Sequence, residues 1–269
     1  MSLSHVQHGL SRAELVHVSH PRWPLPLRGT PSLLRISVLD ASFNPPTLAH
    51  LALLNAPRPP ENGDYDAKLL LLSVRNADKS LKPTDATYIQ RLEMMHLLSQ
   101  RVQQPNVAIG VINEPTFVGK STLLLDFLRS HLKSLRGEDD IKLELSFILG
   151  LDTLERLIAP RYYPSEAEML NALRRFLSPA EENSLVVCAR RNQPATATSD
   201  DKLKLAKEFI DSGRVLMINI GDDESTYSST AVRNAIHEYG LGEEGRKSWG
   251  KYVPESIADY IAREKLYIG

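Results

Sequence analysis

The chain has 269 residues, of which 42% are hydrophobic, and its 32 lysine and arginine side chains nearly balance its 33 aspartate and glutamate side chains. The resulting formal net charge of −1 argues against a protein that coats nucleic acid, because such proteins need a basic surplus to neutralise phosphates. The single cysteine, Cys188, excludes an internal disulfide and a cysteine-based zinc site, and no apolar stretch approaches the roughly 20 residues that span a bilayer.

Residues 1–31 differ in composition from the rest of the chain. They contain four of the eight histidines and one acidic residue, Glu14. Few acids are typical of mitochondrial presequences, but Pro21, Pro24 and Pro26 interrupt any amphipathic helix there. We therefore predict a flexible or surface-draped arm, with a targeting signal as the alternative. The expected setting is cytosolic or nuclear, with no nucleic-acid or membrane partner, and composition leaves the oligomeric state open.

From residue 32 to the end, apolar runs of strand length alternate with segments of helical periodicity. Strands are predicted at 33–39, 68–72, 107–111, 143–149, 184–188 and 214–219. Helices are predicted at 48–55, 88–100, 121–133, 153–158, 202–211 and 230–239. This alternation needs long crossovers and predicts an α/β fold with a doubly wound, Rossmann-like parallel sheet in one domain, residues 32–269. Residues 161–182 interrupt the alternation and are a candidate helical insertion.

The loop after the first predicted strand is a candidate phosphate site. Ligands of open parallel sheets bind beyond the carboxyl ends of the strands, and this loop reads DASFNPPTLAH over residues 40–50. Thr47 can cap the next helix, whose N-terminus favours phosphate. His50, one turn further, can donate a hydrogen bond to a phosphoryl oxygen that gains charge during transfer. The alternative is a rigid proline turn with an incidental histidine.

A second candidate site precedes the predicted helix at 230–239, where residues 227–233 read YSSTAVR. Hydroxyls at a helix start cap the helix and leave backbone amides free to meet an anion. Arg233 follows Ser229 by four residues, so both can face the same phosphates. A plain helix cap is the alternative. The chain lacks both G-x-x-x-x-G-K-[ST] and G-x-G-x-x-G, which disfavours a Walker-type loop and a hydride-transfer dinucleotide site.

Together these two segments resemble a known family. Residues 42–50, SFNPPTLAH, are similar to the signature of the nucleotidyltransferase superfamily with T/H-x-x-H, closest to the eukaryotic nicotinamide mononucleotide adenylyltransferases. Residues 228–233 are similar to that family's S-S-T-x-x-R. Many members carry glycine where this chain has Asp40 or Ala41. The likeness extends from about residue 33 to the C-terminal helix.

The resemblance implies a set of site residues. His50, Thr47 and Arg233 would be catalytic. ATP would be bound by Ser42, Phe43, Asn44, Lys79 (with Lys82 as the rival), Arg190, Ser228, Ser229 and Thr230. The mononucleotide would be bound by Gly150, Asp152, Arg91 and Phe117. Ordinary alternatives remain for three of them: a helix cap for Asp152, a surface arginine for Arg190 and a core ring for Phe117.

The resemblance also implies a reaction, the transfer of AMP from ATP to nicotinamide mononucleotide with release of pyrophosphate. Mg²⁺ would accompany ATP, and no residue is predicted as a dedicated metal ligand. Two alternatives stay open. One is a sibling transferase acting on nicotinate mononucleotide or another phosphate acceptor, and the other is a divergent protein that only binds or hydrolyses ATP. All three readings require the loops containing His50 and Arg233 to converge.

Overall fold

A computed structural model describes residues 2–27, 29, 31–58, 63–75, 82–137, 141–190, 204–221 and 226–268. In this part of the chain, seven strands form one sheet in the order β1-β4-β3-β2-β5-β6-β7. The strands are β1 Ala13–Val18, β2 Leu33–Asp40, β3 Ala67–Ser73, β4 Val107–Ile112, β5 Lys142–Gly150, β6 Ser184–Arg190 and β7 Val215–Asn219. Strands β2 to β7 are parallel to one another, and β1 pairs antiparallel with β4 at one edge of the sheet.

Ten α-helices are described around the sheet. They are α1 Ser2–Gln7, α2 Leu48–Asn55, α3 Tyr88–Ser99, α4 Phe117–Arg136, α5 Leu151–Leu157, α6 Glu166–Leu177, α7 Lys207–Asp211, α8 Ser229–Tyr239, α9 Glu243–Trp249 and α10 Glu255–Arg263. One apolar cluster is formed by sheet residues and helices α4, α5, α6 and α7. A second cluster is formed by the remaining buried sheet residues and helices α2, α3, α8, α9 and α10. The predicted doubly wound α/β fold is confirmed. None of the described helices is both long and apolar enough to cross a membrane.

The predicted flexible arm is wrong for the described part of residues 1–31. Strand β1 lies antiparallel on β4, with Ala13 opposite Ile112, so it covers a sheet edge that would otherwise expose unpaired backbone groups. Trp23 and Leu25 are buried in the core cluster of α4. The prolines follow the strand instead of interrupting it. These residues therefore belong to the folded domain.

The candidate insertion at 161–182 is part of a regular crossover. Helix α6 fills most of it, capped by the Ser165 hydroxyl, which accepts a hydrogen bond from the Glu168 backbone N–H. Its Met169, Leu173 and Phe176 are fully buried in the core cluster. The helix therefore covers the sheet as the other crossover helices do, after α5 and a short 3₁₀ turn at Pro160–Tyr162.

Polar contacts fix the end of α2 against the sheet. The Lys68 ammonium of β3 donates to the Leu54 carbonyl in the last turn of this helix, where a cation complements the helix dipole. Just beyond the helix, buried Arg58 forms a 2.6 Å ion pair with Glu144 of β5. These contacts set the position of a helix whose opposite end carries Thr47 and His50.

Candidate active site

The candidate site lies at the carboxyl ends of the parallel strands. The chain builds β2, β3 and β4 outward and then returns to the other side of β2 to form β5. The sheet therefore reverses its winding between β2 and β5, which is where open α/β sheets bind ligands. Asp40 ends β2 and Gly150 ends β5 on either side of this point.

The turn that leaves β2 is held by its own buried residues. Phe43 has a φ of +46°, in the left-handed region that residues with a Cβ rarely adopt. Its ring is fully buried, so the core holds this backbone conformation in place. The next side chain, Asn44, donates to the Asp85 carboxylate at 2.7 Å and accepts from the Ala86 backbone N–H at 3.2 Å.

The contacts of His50 define which of its ring nitrogens carries the proton. The Thr47 backbone N–H donates to Nδ1 of His50 at 3.0 Å, within the capping box that begins α2. A backbone N–H can only donate, so Nδ1 is the acceptor and the proton of the neutral ring resides on Nε2. The imidazole is thus fixed as an Nε2–H donor one turn into the helix.

Burial keeps the His50 ring neutral near pH 7, because it lowers the pKa of this imidazole from 6.5 to about 4. In the unfolded chain the ring titrates near its ordinary pKa of about 6.5. Between these two values the unfolded state binds a proton that the folded state does not. The free energy of unfolding therefore falls as the pH falls through this window.

We expect this titration to be measurable. Lowering the pH from 7.5 to 5 is expected to cost the native protein at most about 2 kcal/mol through His50, since the ring is only partly buried and keeps some solvent contact. His50→Asn retains an acceptor for the Thr47 N–H and removes the titrating ring. Urea unfolding at both pH values checks this. An equal loss of stability in both proteins would contradict the assignment.

The loop before α8 meets the first loop directly. The Ser228 hydroxyl caps α8 by accepting from the Ala231 N–H at 3.1 Å, and the Ser229 hydroxyl donates to the Pro45 carbonyl at 2.7 Å. Nη1 of Arg233 donates to the Asn44 carbonyl at 2.6 Å. The N-termini of α2 and α8 therefore lie side by side. The two loops meet, as all three candidate functions require.

Comparisons with known proteins find adenylyltransferases similar to this chain. No family model matches the chain. A protein of Schizosaccharomyces pombe named "Putative nicotinamide mononucleotide adenylyltransferase" is 31% identical over 173 residues, which cover 64% of this chain. The resemblance to that family is confirmed. The matched region spans only 59% of the relative's length.

The fold is also found among solved adenylyltransferases. A Plasmodium falciparum nicotinic acid mononucleotide adenylyltransferase, solved in complex with APC, superposes with a TM-score of 0.51. The alignment covers 87% of this chain and 97% of that one, at 15% sequence identity. At this identity the likeness shows only that the two chains share a fold.

The remaining residues that the adenylyltransferase resemblance assigns to the site differ in burial and in their place on the fold. Ser42 is partly buried and Thr230 exposed beside the Arg233 guanidinium. Gly150 precedes α5 at the switch point, and Asp152 is exposed in the first turn of that helix. Arg190 ends β6 beside Asn219, and Lys79 lies outside the described residues. Their roles stay predictions.

Arg91 is directed inward. Its guanidinium is buried and donates to the Ala86 carbonyl at 2.8 Å and to the Ser42 carbonyl at 3.4 Å. It therefore supports the first loop through Ser42, and its predicted contact with the mononucleotide stays a prediction.

Phe117 adjoins an ion pair that the sequence did not indicate. The ring is partly buried and packs edge-on against Phe147 with 6.0 Å between centroids, in agreement with the core alternative. The Lys120 ammonium lies 5.1 Å from its centroid and 2.5 Å from the Asp40 carboxylate. Asp40 thus has a buried cationic partner. A carboxylate that ends a buried strand needs a cationic partner, but the sequence does not show which lysine or arginine provides it.

Proposed function

We propose that the chain transfers AMP from ATP to a pyridine mononucleotide, with nicotinamide mononucleotide as the first candidate acceptor. The observation that carries the proposal is the direct contact between the two loops, in which the Arg233 guanidinium donates to the Asn44 carbonyl and the Ser229 hydroxyl donates to the Pro45 carbonyl. In the proposal, the Nε2–H of His50 and the Arg233 guanidinium face the same polyphosphate. Helices α2 and α8 both begin at this junction, and the dipoles at their N-termini favour phosphate.

In the proposed reaction an oxygen of the mononucleotide 5′-phosphate attacks the α-phosphorus of ATP. The bond from that phosphorus to the bridging oxygen breaks, and pyrophosphate leaves with the electron pair. The attacking phosphate is already ionised at neutral pH, so no protein nucleophile is needed. Catalysis then consists of positioning and charge stabilisation.

The residues of the junction have separate parts in this scheme. His50 would donate its Nε2–H to a phosphoryl oxygen as negative charge develops there. Arg233 would hold the phosphates from the other loop, while Thr47 and Ser229 fix the two loops through their own hydrogen bonds. Asp40 and Asp85 are each paired with a cationic side chain, so neither is assigned as a metal ligand. Mg²⁺ would be bound with ATP through phosphate oxygens and water.

A product assay tests the proposal. The full chain is incubated with ATP and Mg²⁺ and with nicotinamide mononucleotide, nicotinate mononucleotide or no acceptor, and the products are identified by mass. A dinucleotide together with pyrophosphate is the expected result. A dinucleotide only from nicotinate mononucleotide would establish the sibling activity. ADP and phosphate without any dinucleotide would overturn the transferase proposal in favour of ATP hydrolysis.

A further inference from the structure

We propose that Asp85 is a positioning residue that competes with the phosphates of ATP for Arg233. Asp85 lies just before α3, and its side chain is 12% exposed. The inference rests on the proposed function for its catalytic consequence. Its effect on ATP binding can be measured independently of turnover.

The Asp85 carboxylate contacts both loops of the site. One oxygen accepts from the Asn44 amide at 2.7 Å and lies 3.7 Å from Nε of Arg233. The other accepts from the Lys82 backbone N–H at 3.0 Å and lies 3.8 Å from Nη2 of Arg91. A single side chain therefore ties the β2 turn, the start of α3 and the α8 arginine together.

The charges at this point do not balance. Arg91 and Arg233 both face Asp85, so two guanidinium groups share one carboxylate. Arg91 is buried with its Nε and Nη1 donors on backbone carbonyls. Arg233 is 26% exposed, and it is the member of the pair that an incoming anion can reach. The negative charge of Asp85 therefore offsets part of the positive potential of Arg233 that would otherwise attract phosphate.

Two consequences follow, one from charge and one from geometry. Removing the charge leaves Arg233 uncompensated, so the polyphosphates of ATP and of the product pyrophosphate should both bind more tightly. Replacing the carboxylate also weakens the orientation of Asn44, whose backbone carbonyl positions Arg233. Affinity and turnover should therefore change in opposite senses. A residue that only stabilises the fold would weaken both.

The test measures Mg-ATP binding by calorimetry and adenylyl transfer by steady-state kinetics on the full chain. Asp85→Asn is expected to lower the Kd for ATP about three- to tenfold and to lower kcat about tenfold. Asp85→Ser, which also lacks the charge, should show the same direction. Asp259→Asn is the matched control, because it removes an exposed aspartate of α10 that pairs with Arg246 of α9, and it should alter neither constant.

A double-mutant cycle locates the effect. In an Arg233→Gln background, Asp85→Asn should no longer tighten ATP binding. An unchanged or raised Kd in both neutral variants would overturn the inference, as would a gain that persists without Arg233. If the wild type binds ATP but forms no dinucleotide, the proposed function fails, and the binding comparison still decides the part assigned to Asp85.

Discussion

His50→Asn is expected to lower kcat for adenylyl transfer by about 10²–10³-fold, the usual loss when one preorganised donor to a developing oxyanion is removed. The Asn side-chain oxygen can take the place of Nδ1 and keep the hydrogen bond from the Thr47 N–H, which is 3.0 Å long in the native protein. The variant lacks a group at the position of Nε2. The helix cap is retained while the donor is lost.

His50→Gln is the matched control, because its amide nitrogen can approach the position of Nε2 while the acceptor at Nδ1 disappears. We expect it to retain more activity than His50→Asn and to be less stable, by about 1 kcal/mol for the lost cap contact. Steady-state kinetics and urea unfolding of both variants measure the two effects. If the Asn variant were as active as the wild type, His50 would be a capping residue and not a phosphate donor.

The central strands could be predicted from the sequence for a physical reason, because parallel strands covered on both faces are nearly continuous apolar runs. Their carboxyl ends share one edge, but strand order decides which loops meet there, so the approach of residues 40–50 and 227–233 was expected from the family resemblance and not from the spacing. The predicted helix at 48–55 has the same bounds as α2. Helix α4 was predicted four residues too late, because Gly119 and Lys120 in its first turn weaken the apolar periodicity.

The parts that could not be predicted depend on long-range contacts. Strand β1 is short, and it is stable because it pairs with β4, about ninety residues later in the chain. The partners of Asp85 come from the β2 turn, α3 and α8, and the partner of Asp40 is a lysine of α4. Local spacing carries no information on such pairs, so their charges appear in the sequence as isolated residues.

The Asp40–Lys120 pair should therefore respond to mutation as a buried unit. Lys120 is 4% exposed and its ammonium lies 2.5 Å from the Asp40 carboxylate, so Lys120→Met leaves a buried charge without its partner. That loss is expected to lower the free energy of unfolding by about 3–5 kcal/mol. Urea denaturation of the purified chain measures it.

Two comparisons separate the buried charge from the loss of packing. Lys207→Met removes a lysine that pairs with Asp211 at 2.7 Å but is 71% exposed, and it should cost no more than about 0.5 kcal/mol. The double variant Asp40→Asn with Lys120→Met removes both charges and should recover much of the lost stability. If the double variant were less stable than Lys120→Met alone, the two side chains would stabilise the fold separately. The contribution of Asp40 to stability would then come from contacts other than its ion pair with Lys120.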